Sequence, residues 1–208
     1  MKTLIIYTSQ TGFTKRYAEW IAKKTGGDLL ELKDAQKKSD DYFKDFDAIC
    51  YGGWLMAANV VKVKWFFEKA NNWKNKRLAL FCVGGSPNDN PDVDAFLQNV
   101  LTEEQKKYIK VFYCQGGFNY EKMKAPSRLA MKMFVSTLRN KKDATEKEKA
   151  MAEKMASSYD ISDVKYIEPI VAYLLEKDNT VEVDAVSGAT MSSKVIKDAV
   201  RDALRSGL

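Results

Sequence analysis

The residues of this chain best equipped for chemistry are Thr8-Ser9-Gln10-Thr11-Gly12-Phe13-Thr14, with four hydroxyl side chains in seven positions directly after the apolar run Leu4 to Tyr7. A phosphate monoester carries close to two negative charges. A hydroxyl-rich turn that opens a helix meets it with O–H donors and the free backbone N–H groups of the helix amino end. Gly12 permits close backbone approach, and no cation is needed. The same hydroxyls would also serve as a helix N-cap; the strand-like run before them favours the phosphate.

The chain contains no histidine, which removes Ser-His and Cys-His nucleophile pairs, imidazole acid/base work and the usual zinc and haem ligand sets. No metal is expected, and the chemistry must come largely from a bound cofactor. Cys50, Cys82 and Cys114 are odd in number and sit in or at the end of apolar runs, so they read as core residues rather than a disulfide framework. Lysine and arginine number 34 against 28 acidic residues, a net charge of +6. No nucleic-acid motif accompanies that charge, and nucleic acid is not an expected partner. No apolar run approaches the roughly 20 residues of a membrane span, and the amino terminus shows no cleavable signal. A soluble, cytoplasmic protein is expected.

The elements that must position the phosphate loop alternate in period. Leu4 to Tyr7, Ala48 to Tyr51, Leu78 to Val83 and Ile109 to Cys114 are short and nearly unbroken apolar runs, as in strands buried on both faces of a parallel sheet. Leu29 to Leu32, interrupted by Glu31, reads as an edge strand. Between them the spacing is helical: Phe13, Tyr17, Trp20 and Ile21; then Val60, Val63, Phe66 and Phe67; then Val93, Phe96, Leu97 and Val100. Gly26-Gly27 marks the end of the first helix, and Asn90 before Pro91 the start of the third. The pattern is that of an α/β, doubly wound sheet. Glycines fall where the strands end, at Gly12, Gly52-Gly53, Gly84-Gly85 and Gly116-Gly117. They serve either as tight turns or as one ligand crevice beyond the carboxyl ends of the strands. Beyond the last strand, Leu129, Met133, Phe134 and Leu138 are helically spaced, and Asp143 with Glu146 resembles a capping box before a helix carrying Met151 and Met155. A helix from about Ile167 to Leu175 completes the domain. A short appendage follows, with alternating Val181, Val183 and Val186 and a final helix whose face includes Val195, Ile196 and Leu204.

Ile5 to Thr14 resembles the FMN phosphate signature of the flavodoxin family, and the resemblance extends over roughly residues 1 to 177. It implies a flavodoxin-like five-stranded parallel sheet in the order 2-1-3-4-5, with non-covalent FMN as cofactor. Its phosphate would lie on Thr8, Ser9, Gln10, Thr11, Gly12, Phe13 and Thr14. The ring would lie between the loop Gly52, Gly53, Trp54, Leu55, Met56 and Ala57 and the loop Gly84, Gly85, Ser86, Pro87 and Asn88. Trp54 would stack on the flavin or, alternatively, anchor the core. Phe13 stands where flavodoxins commonly have asparagine, and the basic charge departs from their usual acidity.

The loop Gly117-Phe118-Asn119-Tyr120 and the basic stretch Lys122 to Lys142 are similar to the branch that includes menaquinone-dependent protoporphyrinogen dehydrogenase. In that branch this segment is thought to meet a hydrophobic substrate or the membrane. Met131, Met133 and Phe134 among Lys124, Arg128, Lys132 and Arg139 would suit such a peripheral contact, or form a helix packed on the sheet with its lysines outward. In residues 178–208, Asp184-Ala185-Val186-Ser187-Gly188-Ala189-Thr190 resembles the flavinylation motif of FMN-binding domains, which implies a second, covalent FMN at Thr190 attached by a flavin transferase. A turn and helix start capped by Ser192 is the other reading. Two functions remain open: an FMN electron carrier or small flavin reductase serving a redox partner protein or quinone, and an FMN-dependent oxidoreductase acting on a hydrophobic substrate such as a porphyrinogen or quinone.

Overall fold

Side-chain alternation in β1 (Thr3–Tyr7) sets the layers: Leu4 and Ile6 enter one core, Ile5 and Tyr7 the other. The computed structural model describes residues 1–56 and 59–176, all within one unit, Met1–Glu176. β1 pairs in parallel with β2 (Asp28–Glu31) and β3 (Ala48–Met56), β3 with β5 (Arg77–Gly84), and β5 with β6 (Ile109–Gln115). The order β2-β1-β3-β5-β6 is the expected five-stranded parallel arrangement. β4 (Asn59–Val60) stands off that path as a hairpin arm on β3.

On one face α2 (Leu32–Ala35), α3 (Val63–Ala70) and α4 (Pro91–Asn99) cover Leu4, Ile6, Ile49, Tyr51, Leu78 and Leu80. On the other lie α1 (Phe13–Thr25) and α8 (Glu168–Leu175), whose Tyr17, Ile21, Ile170 and Leu174 are fully buried with Ile5, Cys50 and Phe81. Each such side chain contributes about 1.5–3 kcal/mol by leaving water. Gly26 ends α1 with φ 65°, and the Asn90 side chain caps α4 by accepting from Asp92 N at 3.0 Å. The other α-helices and strands of the described residues are α5 (Glu103–Lys106), β7 (Gly117–Phe118), α6 (Ala125–Arg139), α7 (Glu146–Met155) and β8 (Tyr159–Asp160), with β7 and β8 forming their own antiparallel pair.

Several local expectations are corrected. Gly52 to Met56 is strand rather than loop, because the ladder with β5 continues to Trp54 opposite Val83 and then turns into the hairpin, Leu55 opposite Val60. Gly52 is there for close approach, since a Cβ would collide with the Phe81 ring. Val60 therefore belongs to β4 and not to the face of α3. The cap of α7 is Thr145 rather than Asp143: its hydroxyl accepts from Glu148 N at 3.2 Å, while the Glu148 carboxylate accepts from Thr145 N at 2.8 Å. Of the two readings of α6, the helix packed on the sheet through its apolar face does not hold for Leu129, Met133 and Phe134, which are 61%, 63% and 46% exposed; Val135 is its buried residue. The readings at residues 177–208, Thr190 and the final helix among them, lie outside the described residues, as does Ala57.

Candidate functional site

The parallel strands all deliver their carboxyl ends to one sheet edge, and there the structure forms a slot. Gln10, Thr11, Phe13 and Thr14 line it from the β1–α1 turn, Trp54, Leu55 and Met56 from β3, and Val83, Gly84 and Gly85 at the end of β5. Gly117 and Phe118 of β7, then Met123 just before α6 and Ser127, Ala130 and Met131 within it, complete the lining. Its lining is of two chemical kinds. Phe13 and Thr14 belong to the first turn of α1, where Gly12 occupies the N-cap position at φ 103° with no side-chain cap and no acidic residue in the first turn. First-turn N–H groups have no intrahelical partner, and their dipole favours an anion. The rest of the lining is largely apolar, with Trp54, Leu55, Met56, Val83, Phe118 and Met131.

The phosphate-loop residues divide their tasks. Thr11, Thr14 and Gln10 face the slot, and Gln10 Nε2 also donates to Ser127 Oγ at 3.3 Å, linking the loop to α6. Ser9 Oγ accepts from Gly12 N at 3.2 Å and so shapes the turn, while buried Thr8 donates its N–H to Gly52 O at 2.9 Å. Phe13 is buried, with Arg16 against its ring. A second, open depression on the far side of Thr11, Phe13 and Phe118 is lined by Gly12, Lys15, Arg16, Lys122, Tyr159 and Asp160 among others.

On the 84–88 loop only Gly84 and Gly85 reach the slot. Ser86 and Asn88 instead bind the loop to β6: Tyr113 OH donates to Ser86 O at 2.8 Å, Asn88 N donates to Gln115 Oε1 at 3.0 Å, and Gln115 N donates to Asn88 Oδ1 at 3.1 Å. Gly53 lies within β3 against Val60. Trp54 is half-buried and lines the slot. Phe118, Met123 and Ser127 are additions to the expected set. Phe118 could have been found from its place after Gly116-Gly117, at the end of a strand. Tyr159 had no such signal, because β8 is two residues long and its hydroxyl donates to a carbonyl 74 residues away, Gly85 O, at 2.8 Å.

Burial raises the Tyr159 hydroxyl to about 12. Burial would also raise Asp160, but hydrogen bonds from Ser162 and Arg16 outweigh it and hold the carboxyl below its usual range. Arg16 donates to Asp160 at 2.5 Å and to Ser162 at 2.6 Å, which ties β8 to α1. Cys50, Cys82 and Cys114 are buried free thiols, all raised by desolvation and so poor nucleophiles. Among the described residues no acidic or thiol cluster could hold a metal ion, and no helix is long and apolar enough to cross a membrane.

Residues 4–146 match the flavodoxin domain family. The chain belongs to the flavodoxin family. Residues 136–205 match a second family, the FMN-binding domain. No curated protein matches the sequence. Solved structures similar to this chain include a flavodoxin from the domain Archaea, at 17% identity over 76% of this chain and 100% of that one, TM-score 0.39. A flavoprotein in complex with FMN from Lactobacillus acidophilus has 20% identity, 55% and 91% coverage and TM-score 0.39. Oxidised flavodoxin 1 from Bacillus cereus has 11% identity, 75% and 97% coverage and TM-score 0.38. The two family matches make FMN the cofactor and this chain a flavodoxin-like redox protein. The residues present fit it: an uncapped helix amino end beside Thr11 and Thr14 suits a phosphate, and Trp54, Leu55, Val83, Phe118 and Met131 give the slot an apolar lining that suits a flat ring.

Proposed function

We propose that this protein carries electrons between partners, or from a reductant to small acceptors, through one FMN held non-covalently in the slot. The observation that carries the reading is the joining, in one cleft, of the first turn of an uncapped helix with an apolar lining that includes Trp54 and Phe118. FMN, when bound, supplies one- and two-electron redox chemistry. Thr11, Thr14 and the first-turn N–H groups would hold its phosphate. Trp54, Met56 and Phe118 would exclude water from the ring, which strengthens every polar contact made there. We place the protein in the cytoplasm, in keeping with its three buried thiols. The test is reoxidation of the photoreduced protein: a carrier passes electrons to a protein acceptor or one-electron dye and shows no saturable turnover of a hydrophobic substrate.

One observation favours a second reading, an oxidoreductase for a porphyrinogen- or quinone-like substrate. The outer face of α6 exposes Leu129, Met133 and Phe134, beside a slot that α6 itself lines. From Lys122 to Lys142 the chain has seven basic residues and no acidic one, so the same face suits a peripheral membrane contact. Saturable quinone turnover would establish this reading over the carrier. The FMN-binding-domain match includes Asp184 to Thr190, which supports a second, covalent FMN at Thr190, added by a flavin transferase.

A further inference from the structure

We propose that Tyr159 is a positioning residue for the flavin: its hydroxyl fixes the Gly84-Gly85 backbone that lines the slot and thereby sets the potential of the bound ring. The inference rests on the slot being the FMN site. Three successive carbonyls at the end of β5 are committed to donors from other elements. Gly84 O accepts from Gly116 N at 2.7 Å, Gly85 O from Tyr159 OH at 2.8 Å, and Ser86 O from Tyr113 OH at 2.8 Å. Only the first two belong to residues that line the slot. Gly84 O is held by sheet-edge backbone, so of these three bonds the one from Tyr159 is the one in which a side chain holds the carbonyl of a slot-lining residue.

The rest of the local structure delivers that hydroxyl. Tyr159 lies opposite Phe118 in the β7–β8 pair, and their rings meet edge to face at 5.4 Å and 67°. Both press on Gly85: a Cβ there would stand 2.5 Å from Phe118 Cε2 and 2.8 Å from the Tyr159 oxygen. Only glycine admits both contacts. Asp160, the next residue, is held by Arg16 of α1, so β8 is anchored from two sides. With its pKa raised to about 12, the hydroxyl stays protonated, and a donor, throughout the neutral range.

The consequence for the flavin is electrostatic. A peptide is planar, so fixing its carbonyl fixes the dipole of the whole unit. An oxygen tied back to Tyr159 cannot turn its negative end toward a ring that becomes electron-rich on reduction. Without the hydroxyl, the unpaired carbonyl must find another donor, and the field at the ring changes differently for its oxidised and reduced forms. Tyr159 lies beyond residues 4–146, the span matched to the flavodoxin domain, so this control comes from the segment that closes the fold.

Tyr159→Phe keeps the ring packing and deletes only the donor. The Kd for FMN, the midpoint potential and the melting temperature of the apoprotein are measured for it, for wild type and for Tyr113→Phe, which loses a like bond to a carbonyl outside the slot. Expected are FMN binding weakened about fivefold and a displaced potential in Tyr159→Phe, with the potential unmoved in Tyr113→Phe. An unmoved potential in Tyr159→Phe, or an equal displacement in both variants, overturns the proposal even if melting temperatures fall, because a structural bond alone would give that result. A wild-type protein that binds no FMN overturns the slot assignment together with this proposal, whereas binding with an unmoved potential overturns this proposal alone.

Discussion

Ending the chain at residue 146, where the flavodoxin-domain match stops, should give a protein that does not fold, whereas ending it at residue 176 should give one that folds and binds FMN. Truncation at 146 removes Ile167, Ile170 and Leu174, which are 1%, 0% and 0% exposed and pack on Ile5, Tyr17, Ile21 and Cys50. At roughly 1.5–3 kcal/mol for each buried side chain, that is about 5–9 kcal/mol, comparable to the whole stability of a typical domain, about 5–15 kcal/mol. It also removes the Asp163 N–H that donates to Tyr17 OH at 3.1 Å and the Tyr173 carbonyl that accepts from Arg77 at 3.0 Å. The graded version is Leu174→Ala in the full chain, which should cost about 2–5 kcal/mol and lower the melting temperature by roughly 5–15 °C. Circular dichroism melts of the three proteins, with and without FMN, measure all of this. A 1–146 fragment that melts cooperatively near the full-length temperature would refute the reasoning and make α8 an accessory.

The other predictions concern the site and its clasp. Thr11→Ala with Thr14→Ala should weaken FMN binding at least tenfold, at roughly 1 kcal/mol for each lost phosphate hydrogen bond; calorimetric titration at unchanged affinity would remove the loop from the site. Trp54→Ala should brighten bound flavin fluorescence and shift its potential, and a variant that only unfolds would make Trp54 a core anchor. The Asp160 carboxyl is held below its ordinary value of 3.8 in the folded protein, so its contribution to stability is present above that pH and is lost as pH falls through the folded value. The loss of stability on lowering the pH from 5 to 3 should therefore be smaller in Asp160→Asn, and parallel acid titration curves for the two proteins would rule this out. Coexpression with a flavin transferase should add one FMN minus water to the intact mass, lost in Thr190→Val and kept in Ser187→Ala; no added mass would end the covalent reading.

The layered fold was legible because buried parallel strands must be apolar on both faces: Leu4 to Tyr7 and Leu78 to Val83 could be read directly, as could the caps Gly26 and Asn90. The phosphate loop was legible because its hydroxyls and Gly12 sit between a strand and a helix. What the sequence concealed depends on contacts that leave no periodic trace. The extension of β3 through Gly52 and Gly53 needs the Phe81 ring and the Val60 hairpin arm as partners, and paired glycines look alike in a strand and in a turn. The apolar spacing of Leu129, Met133 and Phe134 gave the helix but left two orientations open, and it did not separate Met131, which α6 turns to the slot with Ser127 and Ala130. Tyr159 was invisible because a two-residue strand carries no pattern.

The central claim, one FMN held without a covalent bond in the slot, is tested most directly by the visible spectrum of purified Thr190→Val protein before and after denaturing precipitation. The account predicts flavin absorbance equivalent to one FMN per chain, all of it released to the supernatant. Protein that is colourless as purified and stays so after incubation with excess FMN would contradict it.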